Sequence, residues 1–139
     1  MYLLDTNVIS ETRKPRPHGA VMKWIESVDA RDLQISAVSL GEIQTGIEIT
    51  REQDANKAAA FEAWADRLGH AFRVLPMDGA TFRIWAKLMH RRSPALMGDA
   101  MIAATAKLHN LIVVTRNVRD FRDFGVKALN PFISPAASS

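Results

Sequence analysis

Met1-Tyr2-Leu3-Leu4-Asp5-Thr6-Asn7-Val8-Ile9-Ser10-Glu11 is the stretch on which the reading of the fold turns. Tyr2 to Leu4 is an apolar run too short for a helix, and it stops at an acid, as a buried strand does at a sheet edge. Asp5, Thr6 and Asn7 then supply capping side chains for a short helical turn through Val8, Ile9 and Glu11. A strand that ends on a carboxylate and passes straight into a helix is the opening unit of an α/β fold.

The same unit recurs down the chain. A basic loop with two prolines, Arg13 to Gly19, leads to a helix carrying Val21, Trp24, Ile25 and Val28 at helical spacing. Leu33 to Ser36 reads as a second strand, and Ser39-Leu-Gly-Glu42 opens a helix bearing Ile43, Ile47 and Ile49. A longer helix is expected over about Glu52 to Leu68, closed by Gly69. Phe72 to Leu75 is a third strand candidate, followed by an Asp78-capped helix with Phe82, Trp85, Leu88 and Met89. Asp99 enters a helix running through Met101, Ile102, Thr105 and Leu108. Leu111 to Val114 is the clearest strand, Thr115 to Asp123 a loop or short helix, and Val126 to Leu129 an edge strand.

Strands alternating with helices predict a mainly parallel central sheet with helices on both faces, a three-layer α/β fold. No internal repeat or boundary divides the 139 residues, so one domain over 1–133 and a flexible polar tail at 134–139 are expected. With 47% hydrophobic residues the chain can bury a core, and with no cysteine it has neither disulfides, thiolate metal sites nor a cysteine nucleophile. No stretch approaches a membrane span, and the N-terminus carries no basic signal region, so a cytoplasmic protein is expected. The net charge of +3 permits a polyanionic partner without requiring one.

Three acids sit where strand ends meet helix starts: Asp5, Glu42 and Asp99. In a parallel sheet such points gather at the carboxyl edge, where sites form. Each also has a purely structural role open to it. Asp5 can cap its turn, Ser39-x-x-Glu42 fits a capping box, and Asp99 suits the first turn of its helix. Together, gathered carboxylates repel and shift upward in pKa unless a cation neutralises them. Oxygen donors without cysteine or a histidine pair suit Mg²⁺, or Mn²⁺, and such an ion supports phosphodiester hydrolysis without a protein nucleophile. Arginines lie nearby in sequence: Arg13 and Arg16 after the first strand, Arg91 and Arg92 before Asp99, and Arg116, Arg119 and Arg122 around Asn117. They are placed to meet a polynucleotide backbone. The three tryptophans lie on apolar helical stripes and read as core.

The segments Met1 to Glu11, Ser36-Ala-Val-Ser-Leu-Gly-Glu42-Ile-x-x-Gly46, Gly98-Asp99-Ala-Met-Ile-Ala-Ala-Thr-Ala, Leu111-Ile-Val-Val-Thr-Arg-Asn117-Val-Arg-Asp120-Phe and Leu129-Asn-Pro-Phe stand in a telling order. The chain resembles the PIN-domain ribonucleases, and among them the VapC-type toxins of toxin–antitoxin pairs. That resemblance implies a PIN-like fold and a Mg²⁺- or Mn²⁺-dependent endoribonuclease, with Asp5 and Asp99 as metal ligands and Glu42 completing the pocket. Many members carry an acid two residues after the threonine; here that place is Asn117, with Asp120 three residues on. Both are kept as catalytic candidates. Substrate contacts are expected from Thr6, Asn7, Arg13, Arg92, Thr115 and Arg116. The resemblance further implies a homodimer, RNA as substrate, and a cognate antitoxin through which alone the chain reaches DNA. Two other readings stay open: a phosphatase with an aspartyl nucleophile at Asp5, and a non-catalytic module acting with its antitoxin at DNA.

Overall fold

The apolar run that opens the chain is the central strand of a five-stranded, wholly parallel sheet. The structure is a computed structural model that describes residues 1–133; the tail expected at 134–139 lies outside the described residues. In chain order the elements are β1 (Tyr2–Leu4), α1 (Thr6–Glu11), α2 (Gly19–Ser27), β2 (Leu33–Ser36), α3 (Ala37–Gln53), α4 (Ala55–Ala71), β3 (Arg73–Leu75), α5 (Gly79–Met89), α6 (Met97–His109), β4 (Ile112–Val114), α7 (Val118–Asp123) and β5 (Ala128–Leu129). The strand order is β3-β2-β1-β4-β5. In register, Leu3 pairs with Gln34 on one side and Val113 on the other. The chain therefore winds outward from β1 in one direction, then returns to β4 and winds outward in the other. Its switch point lies between β1 and β4.

Side chains alternate across each strand, so neighbouring residues feed two cores. Leu3 and Val113 face α5, α6 and α7, where Ile102, Ala103, Phe121 and Trp85 pack. Leu4, Val114 and Ile35 face α1 to α4 and meet Val8, Ile9, Val21, Ile43, Ile47 and Leu68. Leu3, Leu4, Val113 and Val114 are fully buried, and cutting either leucine to alanine costs about 2–5 kcal/mol. Both faces of the sheet are thus covered, as expected. The three tryptophans pack against these cores. Among the described residues no helix is long and apolar enough to cross a membrane.

Three local expectations are corrected. First, α3 starts at Ala37 and not at Ser39, because the Ser36 hydroxyl takes the capping position and accepts from the Val38 amide. The capping-box role for Glu42 is thereby removed. Second, Gly69 does not end α4, which runs to Ala71 and stops where Phe72 becomes extended to enter β3; Glu52 belongs to α3. Third, Ile49 is exposed and not part of the core stripe. The Asp78 cap is as expected, with Oδ1 accepting from the Thr81 amide at 2.9 Å. Asn110, in the left-handed region at φ 54°, closes α6 and turns the chain into β4.

Candidate active site at the carboxyl edge of the sheet

Asp5 sits at the switch point because β1 ends one residue before it. It is 4% exposed. Its Oδ1 accepts from the Thr6 amide at 2.8 Å, which caps α1. Its Oδ2 accepts from the Thr115 hydroxyl at 2.7 Å and from Asn7 Nδ2 at 3.1 Å. Thr115 is the residue that follows β4, so this bond ties together the ends of the two central strands. The Thr115 hydroxyl also accepts from the Asn117 amide at 2.9 Å. Asn7 Oδ1 accepts from the Arg116 amide at 3.3 Å. The 115–117 turn is stapled to Asp5 in this way.

Glu42 reaches the same edge because Ser36 caps α3 immediately after β2, leaving Glu42 on the second turn. Glu42 is exposed as a residue, and its carboxylate is held at the edge by Thr6. Oε1 lies 3.0 Å from the Thr6 hydroxyl, and that hydroxyl lies 2.8 Å from the buried Ser39 Oγ. The Thr6 oxygen has one proton to give, so Ser39 donating to Thr6 and Thr6 donating to Glu42 satisfies both contacts. On its other side Oε2 stands 3.8 Å from the position a Cβ would take at Gly98. Asp99, one residue on, is half-buried in the first turn of α6.

The electrostatics link these acids. Burial pushes Asp5 upward most; its donors Thr115, Thr6 and Asn7 oppose this, and the charge of Glu42 adds to the rise. Glu42 is likewise raised by burial, helped by the charge of Asp99 and opposed by the Thr6 hydroxyl. Asp99 is pushed up to about 6, by burial first and then by the charges of Asp5 and Asp120. Charge thus links four of the five predicted catalytic side chains in pairs: Glu42 acts on Asp5, Asp99 on Glu42, and Asp5 and Asp120 on Asp99. The fifth, Asn117, is exposed and serves through its backbone amide, with no side-chain bond to the α7 that it precedes.

The predicted substrate contacts divide. Thr6, Asn7 and Thr115 are in the bonding network of the acids, and Arg116 adjoins it. Among the described residues Arg13 and Arg92 make no ion pair with the acids: the Arg13 guanidinium lies 3.9 Å from the centre of the Phe61 ring on α4, and Arg92 donates to the Asp123 carbonyl at 3.1 Å beside Phe124. The roles of two buried polar side chains, one in the network and one outside it, are not evident from the sequence. Ser39 presents itself there only as a cap, and Glu11, 5% exposed, accepts from the ammonium of Lys14 and from the His18 amide at 3.0 Å. The lowered pKa of Glu11, caused first by Lys14, marks it as a satisfied anion outside the acid cluster.

Among the described residues, no group of three His, Cys, Asp or Glu side chains is close enough, as they stand, to hold a metal ion together. Two carboxylates with water filling the remaining positions is the arrangement that hard divalent cations such as Mg²⁺ commonly accept. Asp5 and Asp99 are the pair whose donor chemistry fits it, with Glu42 acting by charge on Asp5 and Asp120 on Asp99.

Comparison with known proteins agrees with this architecture. The family model described as "PIN domain" matches residues 2–127. Toxin FitB of Neisseria gonorrhoeae is 34% identical over 139 aligned residues, covering 95% of this chain and 99% of that protein. VapC ribonuclease Y4jK of Sinorhizobium fredii is 34% identical, covering 95% and 98%. The crystal structure of FitAcB from Neisseria gonorrhoeae superposes with a TM-score of 0.84 at 33% identity, over 95% of this chain and 99% of that one. The sheet order, the acids at its carboxyl edge and a match across nearly the whole length lead to one assignment: this chain belongs to the PIN-domain family.

Proposed function

We propose that this chain is a metal-dependent endoribonuclease toxin, neutralised in its host by a cognate antitoxin. The observation that carries the reading is the mutual charge coupling of Asp5, Glu42 and Asp99, each raised by burial and by another acid. Acids held so are tolerable at neutral pH when a cation shares them. Support comes from relatives called a toxin and a VapC ribonuclease, aligned over almost their full lengths. The antitoxin partner, an indirect contact with DNA through it, and a homodimer are part of the same reading. A toxin–antitoxin complex bound to DNA is among the structures this chain resembles, at 33% identity.

Asp5 and Asp99 would hold the ion, Mg²⁺ or Mn²⁺. When bound, it would supply charge for a phosphate oxygen and lower the pKa of a water. Asp5 is fixed by three donors, one on Oδ1 and two on Oδ2, which leaves one lone pair of Oδ1 for the ion. Glu42, steadied by the Thr6 hydroxyl, would take a proton from the attacking water. Thr115 and Asn7 keep the Asp5 carboxylate from turning. Asp120 adds negative charge opposite Asp99, and Asn117 offers only a neutral amide at the family's fourth position.

The phosphatase reading fits less well. Both Asp5 oxygens accept hydrogen bonds, and the residue two positions on is Asn7, which donates to Asp5 and has no proton to supply as a general acid. The deciding experiment incubates the purified chain with RNA in Mg²⁺, in Mn²⁺ and in EDTA, beside Asp5→Asn and Asp99→Asn. Cleavage in either metal, none in EDTA and none by the folded variants is the expected pattern. Variants that cut at the wild-type rate, with contaminating nuclease excluded, would remove the assignment; a wild-type chain that cuts nothing would favour the non-catalytic module.

A further inference from the structure

We propose that Arg116, lying on the ring of Phe132, is the subsite for an unpaired nucleobase beside the scissile phosphate. This rests on the nuclease reading and adds the part of the RNA that is gripped. Among the described residues three arginines have the guanidinium carbon over a phenylalanine ring, and one of them, Arg116, is joined to the acids through its backbone. Arg13 on Phe61 and Arg92 on Phe124 are the other two. The guanidinium carbon of Arg116 is 3.9 Å from the centre of the Phe132 ring. Its backbone amide is bonded to Asn7, and its neighbour Thr115 is bonded to Asp5.

The platform is held from behind. Phe132 is half-buried and packs against the core that contains Leu4 and Ile9. His18 meets it edge-on, with ring centres 5.2 Å apart. The amide of His18 is in turn fixed by the buried Glu11 carboxylate, on which Arg116 also acts by charge. Arg116 is exposed and, among the described residues, has no carboxylate within ion-pair distance.

A guanidinium that already lies on a ring offers its second face to solvent. That face is flat, delocalised and weakly hydrated, and nucleobases stack on such planes. A phosphate, by contrast, prefers the edge of the guanidinium, through paired N–H donors. Bases inside a duplex are already stacked on both sides, so the subsite selects single-stranded RNA or a loop. A stacked base strengthens binding about tenfold, with little preference among the four.

The test uses the full chain carrying Asp99→Asn, in EDTA, so that one repelling charge is gone and the proposed cutting is off. The probe is a single-stranded RNA of seven nucleotides with 2-aminopurine at the centre. Binding is expected to quench its fluorescence. Adding Arg116→Lys, which keeps the charge and loses the plane, should abolish most of the quench while anisotropy still reports binding. Phe132→Leu should do the same. An abasic central nucleotide should weaken binding to the protein that retains Arg116 about tenfold and change binding to the Arg116→Lys variant little. Full quenching in Arg116→Lys, an equal abasic penalty in both proteins, or no RNA binding would overturn the proposal. Cleavage by the wild-type chain is measured apart from this; a chain that quenches the probe yet never cuts would refute the nuclease reading and leave the stacking site standing.

Discussion

Asp5 and Glu11 are six positions apart, sit at the two ends of one short helix, and are 4% and 5% exposed. Both carboxylates are shielded from solvent, but Asp5 is desolvated far more heavily, and the two pKa values move in opposite directions. Glu11 is met by the Lys14 ammonium and the His18 amide, and its pKa falls. Asp5 has three donors, none of them charged, and a second acid nearby, and its pKa rises. Desolvation disfavours an anion in either place, and a cationic partner decides whether that cost is met. Glu11 is completed by its own chain, whereas the Asp5 cluster leaves its charge for something else to neutralise.

The contrast breaks most visibly if Asp5 is neutralised. Asp5→Asn keeps the shape and should lower RNA cleavage by about a hundredfold or more, since the charge that holds the ion is worth several kcal/mol in the transition state. Rates on one RNA in Mg²⁺ test this, with circular dichroism to verify folding.

Next in size is Glu11→Gln, which strips a buried, hydrogen-bonded anion from Lys14 and His18. A loss of about 1–2 kcal/mol in urea unfolding at pH 7 is expected. The sign with pH follows from its lowered pKa. The stability Glu11 contributes is present above its unfolded value of 4.5 and is lost as pH falls through the lower folded value. The difference between wild type and variant should therefore shrink in acid.

Asp99→Asn should act the other way. A carboxyl raised in the folded state favours folding when protonated; that benefit is complete below its unfolded value of 3.8 and gone once pH climbs through about 6. Without added metal, the variant should be more stable than wild type at pH 7 by about 1 kcal/mol after allowing for solvent screening, or about 3 °C in Tm. Melting curves at pH 4 and pH 7 check it, the gain being present only at the higher pH. A variant less stable than wild type at pH 7 would mean that Asp99 is a structural cap.

The smallest effects belong to two arginines expected as substrate contacts and found over phenylalanine rings. Arg13→Gln and Arg92→Gln should change cleavage by less than about threefold, the scale of a rim charge, and less than Arg116→Gln does under the same conditions.

These outcomes also mark how much could be read from residues alone. The sheet was legible because each central strand is a dense apolar run ending at a polar residue, so Leu4 to Asp5 and Val114 to Thr115 fix both strand and edge. Asp5 follows β1 and Glu42 lies in the helix that follows β2, so parallel topology carries both to one side; Asp99 stands at the start of α6, which follows α5 and not a strand. Side-chain choices between near-equal neighbours were not legible. Ser36 and Ser39 both suit a cap, and only packing decides that Ser36 takes it while Ser39 turns to Thr6. Gly69 looks like a helix end, yet α4 continues because Leu68 remains buried against β-sheet residues. Arg13 and Arg92 adjoin the acidic segments in sequence, and sequence spacing does not show that their guanidinium groups lie over Phe61 and Phe124. Glu11 was invisible as a paired anion, since its partners come from a proline-containing loop whose path no periodicity describes.

Calorimetric titration with Mn²⁺ at pH 7 tests the metal site most directly. The wild-type chain should bind the ion saturably, and folded Asp5→Asn and Asp99→Asn should each lose that binding. Heats from the wild type no larger than dilution, or unchanged binding in both variants, would contradict a cation shared by these carboxylates.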